Sequence, residues 1–197
     1  MSFSEKESGI VLKIFKDLAS YYNARTLSKI VGMSHAGAYK ALKSLENAGI
    51  LESRRLGRAV FYRVKDDKFA KKSIELLLMA EAKSKERWLS EFNELYSLCD
   101  SVVLFGSILK SEKTANDIDL LIILKPENNK KINQIIDFKS QLLTKKLHVI
   151  KQTREDFISN INKKDKVLLS AVCTGIVLSG VEEYVEVIIN AANRKQN

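Results

Sequence analysis

The stretch that decides the fold is LFGSILKSEKTANDIDLLII, residues 104–123. Leu104-Phe105 closes an apolar run beginning at Ser101-Val102-Val103, and Asp117-Ile118-Asp119 opens another that continues through Leu124. Alternation along a strand puts Asp117 and Asp119 on one face and Ile118 on the other. Paired carboxylates on a largely buried strand are costly unless they serve something, and hard oxygen donors in this arrangement hold Mg²⁺. Between the runs, Gly106 lets the backbone approach a ligand closely. Ser107 offers a hydroxyl and an N–H at the start of a short helix, where phosphate binds well.

Working outward, residues 129–146 read as a helix, Leu147–Ile150 as a third strand and residues 155–170 as another helix. Strands this uniformly apolar need helices over at least one face of their sheet. Together, Gly106-Ser107 and Asp117-x-Asp119 resemble the GS…DxD signature of the DNA polymerase beta-like nucleotidyltransferase superfamily, especially its minimal members. The resemblance covers about residues 101–150. It implies a mixed sheet carrying two Mg²⁺ (or Mn²⁺) between carboxylates. The implied reaction is transfer of a nucleoside monophosphate to an acceptor hydroxyl, with release of pyrophosphate. On that resemblance Gly106, Ser107 and Lys110 contact the triphosphate, while Asp117 and Asp119 ligate the metal and carry catalysis.

Three departures from the family pattern stand out. The segment after Gly-Ser, usually rich in Gly and Arg, reads Ile108-Leu109-Lys110-Ser111-Glu112-Lys113. Lys110 and Lys113 can face phosphates or simply solvent. Asn116 stands where a Ser commonly precedes the first Asp. Most seriously, an active member usually has a third carboxylate on a later strand, whereas Lys146–Lys151 contains no Asp or Glu. Asp137 lies on the preceding helix, and Glu155 and Asp156 read as N-terminal charges of the following one. His148 can substitute as a catalytic base, its ordinary pKa being near neutrality, or can be a plain core histidine. The segment Gly175–Tyr184 resembles the "GIVLYG-E" tail of archaeal winged-helix–nucleotidyltransferase fusions.

The N-terminal third has a different pattern. Ile10, Val11, Ile14, Phe15, Leu18 and Tyr22 form a helical stripe over residues 7–22, with Ser4 and Glu7 as a capping box at its start. Residues 25–31 make a second helix with Thr26 as N-cap, and Gly32 supplies a positive-φ turn. Ser34 caps a third helix, residues 35–48, whose inward side chains are Ala38, Tyr39, Leu42 and Leu45; Gly49 ends it. Ile50–Arg55 and Ala59–Val64 are strands joined by a Leu56-Gly57-Arg58 turn. Three helices and a basic hairpin make a winged helix-turn-helix. The run SHAGAYKALKSLENAGILESRRLGRAVFYRV, residues 34–64, also resembles the winged-helix regulators of the broad MarR/ArsR kind. That fold puts its third helix in the major groove and its wing against the backbone or minor groove. The DNA contacts expected are Ser34, His35, Lys40, Lys43, Arg54, Arg55 and Arg58.

Charge agrees with this division. Residues 1–66 hold 12 basic and 6 acidic side chains, residues 67–99 six of each, and residues 100–197 hold 15 and 12. Over residues 25–65 the balance is nine to two, as for a surface that meets a polyanion, although a solubilising surface gives the same numbers. Residues 67–99 read as helix throughout, either one connector of about 50 Å or two helices broken near Lys83-Ser84. Their apolar residues suit a homodimer seam or packing within one chain.

The expected architecture is α+β: a winged helix-turn-helix (1–66), a long helical connector (67–99) and a nucleotidyltransferase-like mixed sheet with helices (100–197). Cys99 and Cys173 read as buried reduced thiols, and two cysteines with two histidines make a zinc site improbable. No apolar run is long enough for a transmembrane helix and the N-terminal residues lack a signal-peptide pattern, so the expected location is the cytoplasm, without a membrane partner. The expected function is a DNA-binding transcriptional regulator whose second domain binds nucleoside triphosphate and Mg²⁺. The alternatives are an active nucleotidyltransferase with the winged helix as targeting module, including antitoxin-type modification of a protein, and an inactive nucleotide sensor.

Overall fold

The computed structural model describes residues 3–17 and 22–194 and divides the chain into two compact units, 1–77 and 78–197. The boundary falls within the helix Lys68–Lys83.

The first unit is a winged helix-turn-helix. Helix α1 (Glu5–Lys16) starts at Ser4, whose side chain and that of Glu7 satisfy each other's backbone N–H in the expected capping box. It ends well before Tyr22, at Asp17, which leaves helical geometry; Leu18 lies outside the described residues. Tyr22 instead serves the sheet: its carbonyl accepts from the Tyr62 N–H at 2.8 Å, and the residue is 2% exposed. Helix α2 (Ala24–Ile30) begins one residue earlier than the sequence suggests. Asn23 is the N-cap and Thr26 the N3 residue of a second reciprocal box. Gly32, at φ +64°, makes the turn into α3 (His35–Asn47), capped by Ser34. Ala38, Leu42 and Leu45 are buried as expected, but Tyr39 is 49% exposed. A step of about 100° per residue from Ala38 carries Tyr39 off the buried stripe. The wing is β1 (Leu51–Leu56) against β2 (Ala59–Val64), with Leu56 paired to Ala59. The turn is therefore the two residues Gly57-Arg58, with Leu56 inside the strand.

Residues 67–99 are two helices rather than one: α4 (Lys68–Lys83) and α5 (Glu86–Glu91), broken at Ser84-Lys85, followed by a 3₁₀ turn at Asn93–Leu95. Trp88, Phe92 and Leu95 are each 1% exposed, whereas Leu76 and Met79 face solvent.

The second unit is built on a four-stranded mixed sheet of order β5-β4-β3-β6, comprising β3 (Cys99–Phe105), β4 (Asp117–Leu124), β5 (Lys146–Gln152) and β6 (Ile176–Ser179). Only β4 and β5 run parallel. Helix α6 (Asn129–Leu142) connects them and stops short of Lys146, because Leu143 turns extended and Lys146 already pairs with Asp117. The expected helix over residues 155–170 is two, α7 (Arg154–Asn162) and α8 (Lys166–Thr174). Lys164 at φ +62° breaks the run, and Asp165 caps α8. Strand β6 and α9 (Val181–Arg194) come from the tail, to which sequence pattern assigned no elements.

Both faces of the sheet are covered. Val102, Leu104, Ile118, Leu120 and Ile122 pack with Trp88, Phe92 and Ile132 in one core. Val103, Leu121 and Ile123, also fully buried, alternate to the other face, and α7, α8 and α9 contact β3 and β4. Neither cysteine is in a disulfide and both are half-buried, less enclosed than their apolar neighbours suggest; burial pushes the Cys99 thiol up to about 12. Among the described residues no helix is long and apolar enough to cross a membrane.

Candidate functional site

Strand register assembles the site. β3 ends at Phe105, opposite Asp119, so Gly106 and Ser107 emerge beside the start of β4. In the parallel β4–β5 ladder Asp117 pairs with Lys146, Ile118 with Leu147 and Asp119 with His148. Ile118 is 1% exposed and belongs to the core, while Asp117 and Asp119 turn the opposite way, as alternation requires. His148 projects on their face. Its Nδ1 lies 3.4 Å from Asp119 Oδ1 and 3.7 Å from Asp117 Oδ2. One ligand atom from each of the three residues falls within a span of 4.8 Å, an arrangement able to hold a metal ion.

Gly106 makes this packing possible. Its backbone (φ +85°, ψ −160°) lies in a region essentially reserved for glycine. A Cβ there would stand 2.0 Å from Asp119 Oδ2, far inside any non-bonded contact. Ser107 donates its hydroxyl to Asp117 Oδ1 at 3.1 Å. It also begins a 3₁₀ turn, Ser107–Leu109, pinned by the buried Ile108. Asp117 is thus braced through Oδ1 and Asp119 packs Oδ2 against Gly106, while Asp117 Oδ2 and Asp119 Oδ1 lie toward His148. Lys110 and Lys113 are exposed beyond the turn, as is Asn116.

The loop that replaces the family's Gly- and Arg-rich segment is held by contacts invisible to motif reading. Glu112 accepts from the Trp88 indole N–H at 3.0 Å and pairs with Arg87 at 2.8 Å. The Lys145 ammonium donates to the Ala115 carbonyl. The remaining carboxylate candidates stay apart: Asp137 is exposed on α6, and Glu155 and Asp156 occupy the first turn of α7, where Thr153 caps through Asp156. Among the described residues, Asp117, Asp119 and His148 form the one cluster suited to a metal.

Burial holds the Asp119 carboxyl above its usual range, the Asp117 charge adds to that, and His148 opposes both. A carboxyl whose folded pKa is raised costs stability once ionised: no penalty exists below the unfolded pKa, and it grows as pH rises through the folded value. Asp119→Asn is therefore expected to raise the melting temperature of metal-free protein at neutral pH. That gain should disappear as pH falls below the ordinary aspartate range. Thermal melts with chelator at several pH values check this; an equal shift at every pH would rule out the electrostatic origin.

The DNA-contact candidates lie on α3 and the wing. Ser34 accepts from the Gly37 N–H at 3.1 Å as the cap of α3, with its hydroxyl proton free to donate. His35 and Lys40 are exposed, as are Arg54 and Arg55, which alternate to opposite faces of β1, and Arg58 at the wing tip. Lys43 differs, because its ammonium pairs with Glu46 at 2.6 Å. That hydrogen bond holds its pKa above the usual lysine range, and Glu46 also accepts from Ser53. Sequence pattern showed Lys43 on the helix but not this local neutralisation.

Residues 85–172 match the nucleotidyltransferase domain family. The matched segment contains all of Gly106, Ser107, Asp117, Asp119 and His148. Among curated proteins, the chain is similar to the global transcriptional regulator CodY of Staphylococcus epidermidis, 40% identical over 73 residues, which is 35% of this chain and 28% of that protein. CodY of Staphylococcus aureus is 38% identical over the same length. The chain thus spans under a third of the length of these relatives. Solved structures with similarity include the E41A mutant of ZitR from Lactococcus lactis (15% identity, 72% of this chain and 76% of that one, TM-score 0.35). The adhesin competence repressor AdcR of Streptococcus pyogenes is another (12%, 73% and 84%, TM-score 0.38).

Proposed function

We propose that this protein is a DNA-binding transcriptional regulator whose nucleotidyltransferase domain binds a nucleoside triphosphate together with a divalent metal ion. The observation that carries the nucleotide half is the convergence of Asp117, Asp119 and His148 beside the Gly106-Ser107 turn. The donor set fits a cation: two carboxylates, one held by Ser107 and the other packed against Gly106, each with an oxygen facing an imidazole nitrogen. A metal there supplies positive charge to neutralise a triphosphate. Gly106 and Ser107 would present backbone to the phosphates, with Lys110 at the mouth of the site. The DNA half is supported by the exposed arginines of the wing, the nine-to-two charge balance over residues 25–65 and the regulator name of the CodY relatives.

Isothermal calorimetry with nonhydrolysable ATP, GTP, CTP and UTP analogues, in the presence of Mg²⁺ or Mn²⁺, tests the nucleotide half. Wild type should bind at least one analogue, and Asp117→Ala/Asp119→Ala should abolish the binding. Silence with every analogue and either metal would remove the nucleotide half and leave DNA recognition as the function. A second reading, transfer of a nucleoside monophosphate to a hydroxyl acceptor, is favoured by the intact Gly106-Ser107 and Asp117-x-Asp119 pair. It requires label from an α-labelled triphosphate to appear on an acceptor.

A further inference from the structure

We propose that the centre binds a single first-row transition ion in preference to Mg²⁺, with His148 Nδ1 as a ligand where the family usually has a third carboxylate. The proposal rests on the nucleotide-and-metal reading of this site and goes further in naming the ion class and the residue that selects it.

The first support is position. Register alone pairs His148 with Asp119 across the parallel ladder, so the imidazole stands on the strand next to the two carboxylates and on their face. The second is which atoms converge. Asp117 Oδ1 is occupied by the Ser107 hydroxyl, and Asp119 Oδ2 lies against Gly106. The other oxygen of each carboxylate is the one that meets Nδ1, at 3.7 and 3.4 Å. Two atoms that share one ion at about 2.1 Å from it stand at most about 4.2 Å apart; the two separations from Nδ1 satisfy that limit, and the three ligand atoms lie within 4.8 Å of one another.

The third is chemistry. Mg²⁺ demands hard oxygen donors and sheds water reluctantly. Imidazole nitrogen favours the later first-row ions, whose affinity for nitrogen-containing sites rises from Mn²⁺ through Co²⁺ and beyond. The fourth is charge. Three carboxylates would bring three negative charges, enough to favour a pair of divalent ions. Two carboxylates with a neutral imidazole bring two, which one divalent ion balances.

The experiment is calorimetric titration of the full chain with Co²⁺, Mn²⁺ and Mg²⁺, each alone, in wild type, His148→Ala and His148→Asp. Pulsed electron paramagnetic resonance of the Mn²⁺-loaded protein reports nitrogen directly bound to the metal. Because His148 is partly exposed, both variants should keep the fold, and circular dichroism melts verify it. In wild type, Co²⁺ should bind once per chain and on the order of a hundredfold more tightly than Mg²⁺. His148→Ala should weaken Co²⁺ by about tenfold or more and erase the nitrogen coupling. His148→Asp should tighten Mg²⁺ and shrink the Co²⁺/Mg²⁺ ratio by about tenfold.

A Co²⁺/Mg²⁺ ratio that is the same in wild type and His148→Asp, or a nitrogen signal that survives His148→Ala, would overturn the proposal. If Mg²⁺-dependent triphosphate binding persists alongside such a result, the nucleotide reading stands and only the assignment of His148 falls. If neither metal nor triphosphate binds wild type, both fall together.

Discussion

Gly106→Ala should lose metal-dependent triphosphate binding and destabilise the second unit by about 2–4 kcal/mol. Two costs combine. An L-residue at φ +85°, ψ −160° occupies backbone space that only glycine tolerates without strain, worth about 1–3 kcal/mol. The new methyl would also stand 2.0 Å from Asp119 Oδ2, so the carboxylate must leave the position from which it meets His148. The steric part can be isolated with Asp119→Ala, which removes the atom struck. Urea unfolding of the two single variants and the double should show that the penalty of Gly106→Ala is smaller when the Asp119 carboxylate is absent, because the clash with Oδ2 and Cγ is removed. Wild-type stability and binding in Gly106→Ala would contradict the close approach of turn and strand.

On the DNA-binding side, Arg54→Ala/Arg55→Ala/Arg58→Ala should flatten the salt dependence of duplex binding. Each phosphate neutralised contributes about 0.9 to the slope of log affinity against log salt, so three arginines contribute about 2.7 in all. Lys43→Ala should change that slope little, because the Lys43 charge is already balanced by Glu46. The contrast between two sets of basic residues, one on the wing and one on α3, separates contact from mere positive charge. Fluorescence anisotropy on duplex DNA from low to physiological salt measures both. Absence of wild-type binding at low salt would end the DNA reading, and equal slopes for wild type and the triple variant would move the contacts away from the wing.

The features behind these expectations differ in how far a linear sequence reveals them. The capping box of Ser4 and Glu7, the Ser34 cap and the turn at Gly32 were readable because each is written within a few consecutive residues. A break near Lys83-Ser84 was among the readings the sequence left open, and the structure places it at Ser84-Lys85; the break in the later helix was harder. Residues 155–170 carry helix-forming side chains throughout, and the break at Lys164 is a backbone conformation that its residue type does not announce. Tyr22 continues the helical spacing of α1, yet it is recruited to pair with Tyr62, forty positions away, which no local pattern contains. The anchoring of the loop by Glu112 on Trp88 likewise joins residues far apart in sequence.

The same boundary runs through the site. That Asp117 and Asp119 share a face, that Gly106-Ser107 follows a buried strand, and that a basic hairpin follows three helices were determined by sequence alone, since alternation and turn chemistry act between near neighbours. Sequence also showed that β5 carries no carboxylate. Only the tertiary structure decided which side chain of β5 stands beside the two carboxylates. The partner of a strand residue depends on the register of a parallel ladder joined through α6, and a shift of one residue would have turned His148 to the opposite face of the sheet. Long-range packing of α6 and the β4–β5 ladder sets that register, and with it the meeting of His148 and Asp119.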